Sequence, residues 1–178
     1  AIHLNPSVSS FWVNRAICRM NVQDYDHALL DADTIIKRWS QIATAYSLKA
    51  EIYLEKKDTT QADHWLSRSL DIDPYNADAW TTRSYIALNR KQWRTAETCL
   101  SKAIHLRPKV VNNYVNRALA RLNINNLSGA LADYDMAIDL EPKNFLAHYN
   151  RGLLRLQLGD DNRALTDFDF VVKMEPKN

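Results

Sequence analysis

The chain has 178 residues, 46% of them hydrophobic, with only three glycines and five prolines, a composition that excludes a disordered polymer. Its 23 basic and 21 acidic residues leave a net charge of +2 and are interleaved without a run of one sign, so neither nucleic acid nor an anionic membrane surface is implied as a partner. No apolar stretch approaches the roughly 18 residues of a membrane span, and Ala1-Ile2-His3-Leu4 lacks the charged and apolar regions of a signal peptide.

Residues 1–8 read as the tail of a repeating unit: Ala1-Ile2-His3-Leu4-Asn5-Pro6 parallels Ala103-Ile104-His105-Leu106-Arg107-Pro108. Five further units follow at 9–42, 43–76, 77–110, 111–144 and 145–178, with no insertion or deletion. They are set by Ala28, Ala62, Ala96, Ala130 and Ala164, spaced 34 residues apart, and by Pro74, Pro108, Pro142 and Pro176 at the same step. A fixed period of this length signals a stacked array in which each unit packs on its neighbours. The chain closes on Pro176-Lys177-Asn178, a finished unit without a polar cap, so it reads as a segment of a longer array with partly apolar ends.

Each unit holds two helical patterns separated by a polar turn, at Gln23-Asp24, Lys57-Asp58, Lys91-Gln92, Asn125-Asn126 and Gly159-Asp160. In the first pattern a ring (Trp12, Tyr46, Trp80, Tyr114, His148) precedes by four residues a small side chain (Ala16, Ala50, Ser84, Ala118, Gly152). That spacing places bulk and gap on one helix face, where a neighbouring helix approaches closely. The second pattern opens on the alanine column and continues amphipathically, as in Ala130, Leu131, Tyr134, Ala137, Ile138 and Leu140. Proline disfavours helix at the preceding residue and ends the unit. The first unit has Arg38-Trp39-Ser40 instead, and its second helix is expected to run on or bend differently.

Two helices in 34 residues, with this aromatic, small-residue, alanine and proline register, resemble the tetratricopeptide repeat over essentially the whole chain. The resemblance implies an all-α fold: antiparallel helix pairs stacked into a right-handed α-solenoid, a single array over 1–178, with first helices lining a concave groove.

One constellation departs from the family pattern. Where leucine is usual, the chain carries Arg15, Lys49, Arg83, Arg117 and Arg151. Units one, four and five add a second arginine (Arg19, Arg121, Arg155) and paired aspartates on the second helix (Asp31/Asp33, Asp133/Asp135, Asp167/Asp169). The second and third units lack the whole set. Groups that come and go together fit ion pairing, since a buried charge without a partner is expensive. An arginine row that takes phosphate or carboxylate is the alternative reading.

Asn14, Asn116 and Asn150 precede the arginine column and face the groove side, where an amide can bond both N–H and C=O of a peptide backbone; bonding within the scaffold is the plainer alternative. Some co-chaperones of the resembled family clamp a C-terminal carboxylate with such asparagines plus a lysine. Val13, Ser47, Thr81, Val115 and Tyr149 stand where that lysine belongs, so an acidic chaperone tail is not expected. Further groove candidates are Ile17, Met20, Asn21, Glu51, Glu55, Asp78, Tyr85, Asn89, Asn112, Leu119, Asn123, Leu146, Tyr149, Leu153 and Gln157. Their mixture of amides, apolar groups and acids suits a peptide with hydrophobic anchors and some basic character.

No catalytic, cofactor or metal set stands out. The histidines never cluster, there is no Cys-x-x-Cys, no glycine-rich phosphate loop and no nucleophile motif. Three copies of the aspartate pair argue for scaffold rather than acid–base chemistry, so no enzyme and no cofactor is expected. Cys18 and Cys99 read as buried free thiols. The leading expectation is a scaffold that binds a partner protein or peptide in its groove. The alternative is a structural spacer or a module that self-associates end to end through uncapped terminal repeats. RNA binding by helical repeats is disfavoured because the basic residues look neutralised in pairs. Cytoplasm is the default compartment, with an upstream signal left open.

Overall fold

A computed structural model describes residues 6–174, with side chains from Ser10 onward. The readings placed on Ala1–Asn5 and on Pro176-Lys177-Asn178 lie outside the described residues. Ten helices follow in order: α1 (Pro6–Asn21), α2 (Tyr25–Arg38), α3 (Ala43–Glu55), α4 (Thr59–Ile72), α5 (Ala77–Asn89), α6 (Trp93–Leu106), α7 (Val111–Asn123), α8 (Leu127–Leu140), α9 (Phe145–Gln157) and α10 (Asp161–Met174). No strand occurs among the described residues. The fold is an all-α helical repeat of the solenoid class.

The boundaries keep the sequence period. The first helices α3, α5, α7 and α9 each have 13 residues, and the second helices α2, α4, α6, α8 and α10 each have 14. This corrects the expectation for α2, which stops at Arg38 like its counterparts. Trp39 takes φ −141° and ψ 72°, close to Arg107 at −135° and 84° before Pro108, and its N–H bonds the Ile35 carbonyl at 2.7 Å. The extended backbone ends the helix without proline's help.

Every first helix ends in the same way. In the first unit Asp24 N–H reaches back to the Arg19 carbonyl at 2.8 Å and Gln23 N–H to Met20 at 2.9 Å, a Schellman closure. The residue at its corner is left-handed in all five copies: Gln23 (φ 63°), Lys57 (62°), Lys91 (56°), Asn125 (63°) and Gly159 (78°). Only one of the five is glycine, so four carry the steric cost of a side chain there. Second-helix starts are capped by side chains at Asp58, which accepts from Gln61 N–H, and at Asn126, which accepts from Gly129 N–H.

The chain divides into two compact units within α5, one running to Ile86 and the other starting at Ala87. In the first, Ala16, Ala28, Leu48 and Ile52 form one core cluster, and Ala50, Ala62, Leu66, Leu70, Ala79 and Ile86 form another. In the second, Ala118, Ala130, Tyr134, Ala137, Ala147 and Leu154 pack with Ile104 and Tyr114. A smaller cluster joins Ala87, Ala96 and Ala120. The alanine column is sealed throughout, since helix axes close enough to interlock leave room for one methyl group. At Gly152 even that is excess: a Cβ there would lie 2.8 Å from Phe168 Cε1.

The ring column has a second task. Tyr46 donates its hydroxyl to the Ser40 carbonyl at 3.1 Å, Trp80 its Nε1–H to Pro74 at 2.8 Å, and Tyr114 its hydroxyl to Pro108 at 2.9 Å. Histidine keeps the same clasp, with His148 Nε2 3.0 Å from the Pro142 carbonyl. Each aromatic therefore ties its helix to the segment that enters it, satisfying a carbonyl left over at the unit boundary.

Candidate functional site

The charged residues form a lattice with a step of 16 positions in both directions. In the second compact unit, which starts at Ala87, Arg117 grips Asp133 with two parallel bonds, Nε to Oδ2 at 2.9 Å and NH2 to Oδ1 at 2.6 Å. Arg121 adds a third donor at 2.8 Å and also bonds Glu97 at 3.0 Å. The motif recurs one period on: Arg151 holds Asp167 at 3.0 and 2.6 Å, and Arg155 adds 2.8 Å. In the first unit Arg15 and Arg19 do the same to Asp31. Asp31, Asp133 and Asp167 are buried, and the bidentate fork is what makes a buried carboxylate tolerable.

The second aspartate of each pair looks the other way along the chain. Asp33 accepts from Lys49 Nζ, and Asp135 from Arg151 NH1 at 2.7 Å, with Arg155 NH2 at 3.8 Å. Each therefore joins a second helix to the first helix of the following hairpin. Arg117 NH1 reaches Ser101 in that position at 3.2 Å. Asp169 is exposed and makes no ion pair among the described residues.

Burial works against the charge of Arg151, yet its bonds to Asp167 and Asp135 prevail and raise its pKa. Burial also pushes Asp167 toward the neutral acid, but Arg151 and His148 outweigh it and hold the carboxyl below its ordinary value. Tyr134, buried beside Asp133, is pushed up to about 12, chiefly by loss of water.

The units without the aspartate set solve the same problem differently. Trp65 stands where the buried aspartate would be, and Lys49 Nζ lies 3.9 Å from its ring centroid. Arg83 bonds Asp63 at 3.1 Å, one helical turn before Ser67. The partners Asp63, Glu97, Ser101 and Trp65 lie outside the expected set. Trp65 and Ser101 keep the 16-residue column spacing, visible only once one pair is known, whereas Asp63 and Glu97 lie 20 and 24 residues before their arginines and follow no such column.

With the arginines engaged by carboxylates, the accessible chemistry lies on the outer stripe of the first helices. In the first unit Asn14, Ile17 and Asn21 on α1, Glu55 on α3, and Asp78 and Tyr85 on α5 are exposed. Met20 and Glu51 are half-buried. Burial raises the pKa of Glu51, and the negative charge of Asp78 adds to it. In the second unit Asn89, Asn112, Leu119, Asn123, Leu146, Tyr149, Leu153 and Gln157 are exposed, and Asn116 and Asn150 are half-buried. Phe145 stacks on Tyr149 at 6.2 Å, and Phe168 meets the same ring edge-on at 6.3 Å. Neither Asn116 nor Asn150 has a hydrogen-bond partner among the described residues, whereas Asn123 bonds back to the Leu119 carbonyl at 2.9 Å.

Cysteine needs a correction. Neither cysteine forms a disulfide among the described residues, but only Cys99 is buried; Cys18 is exposed. Its counterparts Ile52, Ile86, Ala120 and Leu154 are all buried. The column is covered by the helix that precedes it, and among the described residues nothing precedes α1. No cluster of three metal-binding side chains occurs among the described residues, and no helix there is long and apolar enough to cross a membrane.

Paired helices in a fixed register, each hairpin locked to the next by small residues and a clasped ring, define a helical-repeat protein. One family model, described as tetratricopeptide repeat, matches residues 13–77, and another, described as TPR repeat, matches 122–159. The chain belongs to the tetratricopeptide repeat family. Among solved structures it is similar to MamA from Desulfovibrio magneticus RS-1, with 17% identity, TM-score 0.83, and 93% of this chain and 94% of that chain covered. It is also similar to YrrB, a TPR protein with an unusual peptide-binding site, with 21% identity, TM-score 0.82, and 94% of this chain and 86% of that chain covered. A stretch of 72 residues is 32% identical to the E3 ubiquitin-protein ligase CHIP of Arabidopsis thaliana, covering 40% of this chain and 26% of that protein. The match thus spans about a quarter of that relative's length.

Proposed function

We propose that this chain is a protein-interaction scaffold and that the outer stripe of α7 and α9 binds an extended segment of a partner protein. The reading rests on one observation above others: Asn116 and Asn150 are half-buried, one period apart, and without hydrogen-bond partners among the described residues. A partly desolvated amide without a partner is unfavourable, and a peptide backbone passing over it supplies both the donor and the acceptor it lacks. Leu119, Leu146, Tyr149 and Leu153 stand exposed around the two amides and offer anchor surface for apolar side chains. The arrangement takes its backbone contacts from the asparagines and its side-chain selectivity from the apolar ring. The family is one of interaction modules, and YrrB, a TPR protein with an unusual peptide-binding site, has a similar fold.

The stripe in the first unit has a different character. Glu51, Glu55 and Asp78 make it acidic, which favours a basic stretch in whatever segment continues there.

Selection of extended peptides from a displayed random library tests this reading. Affinity of the selected peptides is then measured by fluorescence anisotropy against the unaltered chain, Asn116→Ala, Asn150→Ala and Tyr149→Glu. Each change is expected to weaken binding about tenfold or more, equivalent to about 1.4 kcal/mol. Peptides that bind all four chains equally, or a library that yields none, would remove the stripe as a binding site.

A further inference from the structure

The last ring of the clasp column differs from the others in the number of bonds it makes. Tyr46, Trp80 and Tyr114 each own one polar hydrogen and give it to one carbonyl. His148 has two ring nitrogens, and each faces an oxygen. Nδ1 lies 3.1 Å from Asp167 Oδ1 on α10, and Nε2 lies 3.0 Å from the Pro142 carbonyl in the turn between α8 and α9. The residue is only 8% exposed, so little of it reaches water.

Both oxygens only accept. A carbonyl carries no hydrogen. Burial opposes the charge of Asp167, but bonds from Arg151 and His148 hold its carboxyl below the ordinary value, so it is ionised at neutral pH. A neutral imidazole has a hydrogen on one nitrogen and a lone pair on the other. Either tautomer sets that lone pair against an oxygen inside the hairpin. Only the doubly protonated ring satisfies both contacts. Phe170 lays its ring over His148 with centroids 3.9 Å apart, and an aromatic face attracts a cation.

The charged groups around the ring come from every element next to it. On α9, Arg151 and Arg155 both bond Asp167. On α8, Asp135 accepts from Arg151, and Asp139 is exposed. Glu141 and Lys143 flank Pro142 at exposed positions, and Asp169 and Lys173 are exposed on α10. Among these side-chain types only imidazole ordinarily changes charge between about pH 5 and about pH 8.

We propose that His148 is a proton-dependent clasp: with both ring protons it ties α9 to the α8–α9 turn and to α10, and on losing one it keeps Asp167 and releases the Pro142 carbonyl. A bond to an ionised acceptor is the stronger of the two, which decides the one retained. The entry to α9 therefore loosens as pH rises. The equivalent clasp on Pro108 is a phenol, a group that does not change charge in that range. All these residues belong to the second compact unit, and the inference does not rest on the peptide stripe.

Nuclear magnetic resonance of the isotope-labelled 178-residue chain, from about pH 5.5 to about pH 8.5, tests it. The Pro142 carbonyl carbon is expected to shift in step with the His148 ring nitrogens, while the Pro108 carbonyl carbon stays in place. Hydrogen exchange of the Ala147 amide, which bonds Asn144 Oδ1, is expected to speed up about three- to tenfold over the same span after correction for its intrinsic pH dependence, the worth of one hydrogen bond. In His148→Tyr, which supplies the phenol found at Tyr114, both responses disappear. A ring that carries one proton throughout, a Pro142 carbon that ignores the loss of the ring proton, or an exchange response that survives in His148→Tyr would overturn the proposal. Should His148→Tyr fail to fold, the Pro142 and Pro108 carbons of the unaltered chain decide.

Discussion

Removal of Asp133 is the sharpest test of the ion lattice. Its side chain is 3% exposed and receives three N–H donors at 2.6 to 2.9 Å from two guanidinium groups, themselves 14% and 19% exposed. Asp133→Leu leaves both guanidinium groups facing apolar carbon. Breaking a buried pair on one side typically costs about 3–5 kcal/mol, and the surviving contacts of Arg121 with Glu97 and of Arg117 with Ser101 place this case at the lower end. The triple change Asp133→Leu with Arg117→Met and Arg121→Leu removes the charges together. It forfeits the Ser101 and Glu97 contacts, but Glu97 retains access to water and pays little desolvation. A net loss of about 1–2 kcal/mol is expected, because apolar replacement of a whole buried set is often near neutral. Urea unfolding followed by circular dichroism measures both. Equal loss in the single and triple variants would show that the aspartate is not held there by the arginines.

The left-handed corners offer a gain. Lys57→Gly at φ 62° relieves a steric cost of about 1–2 kcal/mol and loses part of it to unfolded-chain entropy. The expected net is a stabilisation of about 0.5–1 kcal/mol, read as a higher urea midpoint, and a lower midpoint would contradict the geometry. Gly152→Val drives side-chain carbon into Phe168 and is expected to cost about 1–3 kcal/mol by the same assay. Asp167 sets an acid limit. Its folded pKa lies below the ordinary 3.8, so its contribution is fully present above that value and disappears as pH falls through the lower one. Unfolding free energy measured from about pH 6 down to about pH 2 should fall less steeply at the acid end in Asp167→Asn, and an unchanged slope would refute the linkage.

Ala28, Ala62, Ala96, Ala130 and Ala164 sufficed to phase the chain, and helix ends followed the same step even at Trp39, where proline is missing. Ser84 and Gly152 were readable as gaps, because a helix contact needs small residues at set intervals whatever their neighbours. The partners of the arginines were readable only in kind. A charge column says that something of opposite sign is near; it does not say whether that group lies in the same hairpin or the one before. Arg151 takes both, Arg83 takes Asp63, and Lys49 takes Asp33 and a tryptophan ring.

Periodicity alone therefore settled the class of fold, the number of helices and which face of each carries bulk, since these depend on spacing along one chain. Exposure was decided by packing. Ile52 and Cys18 occupy one column, yet one is sealed and the other open, because burial belongs to the helix laid against a residue and not to the residue itself. The same reason separates Asp135, neutralised by the next hairpin, from Asp169, which is exposed and has no ion pair among the described residues.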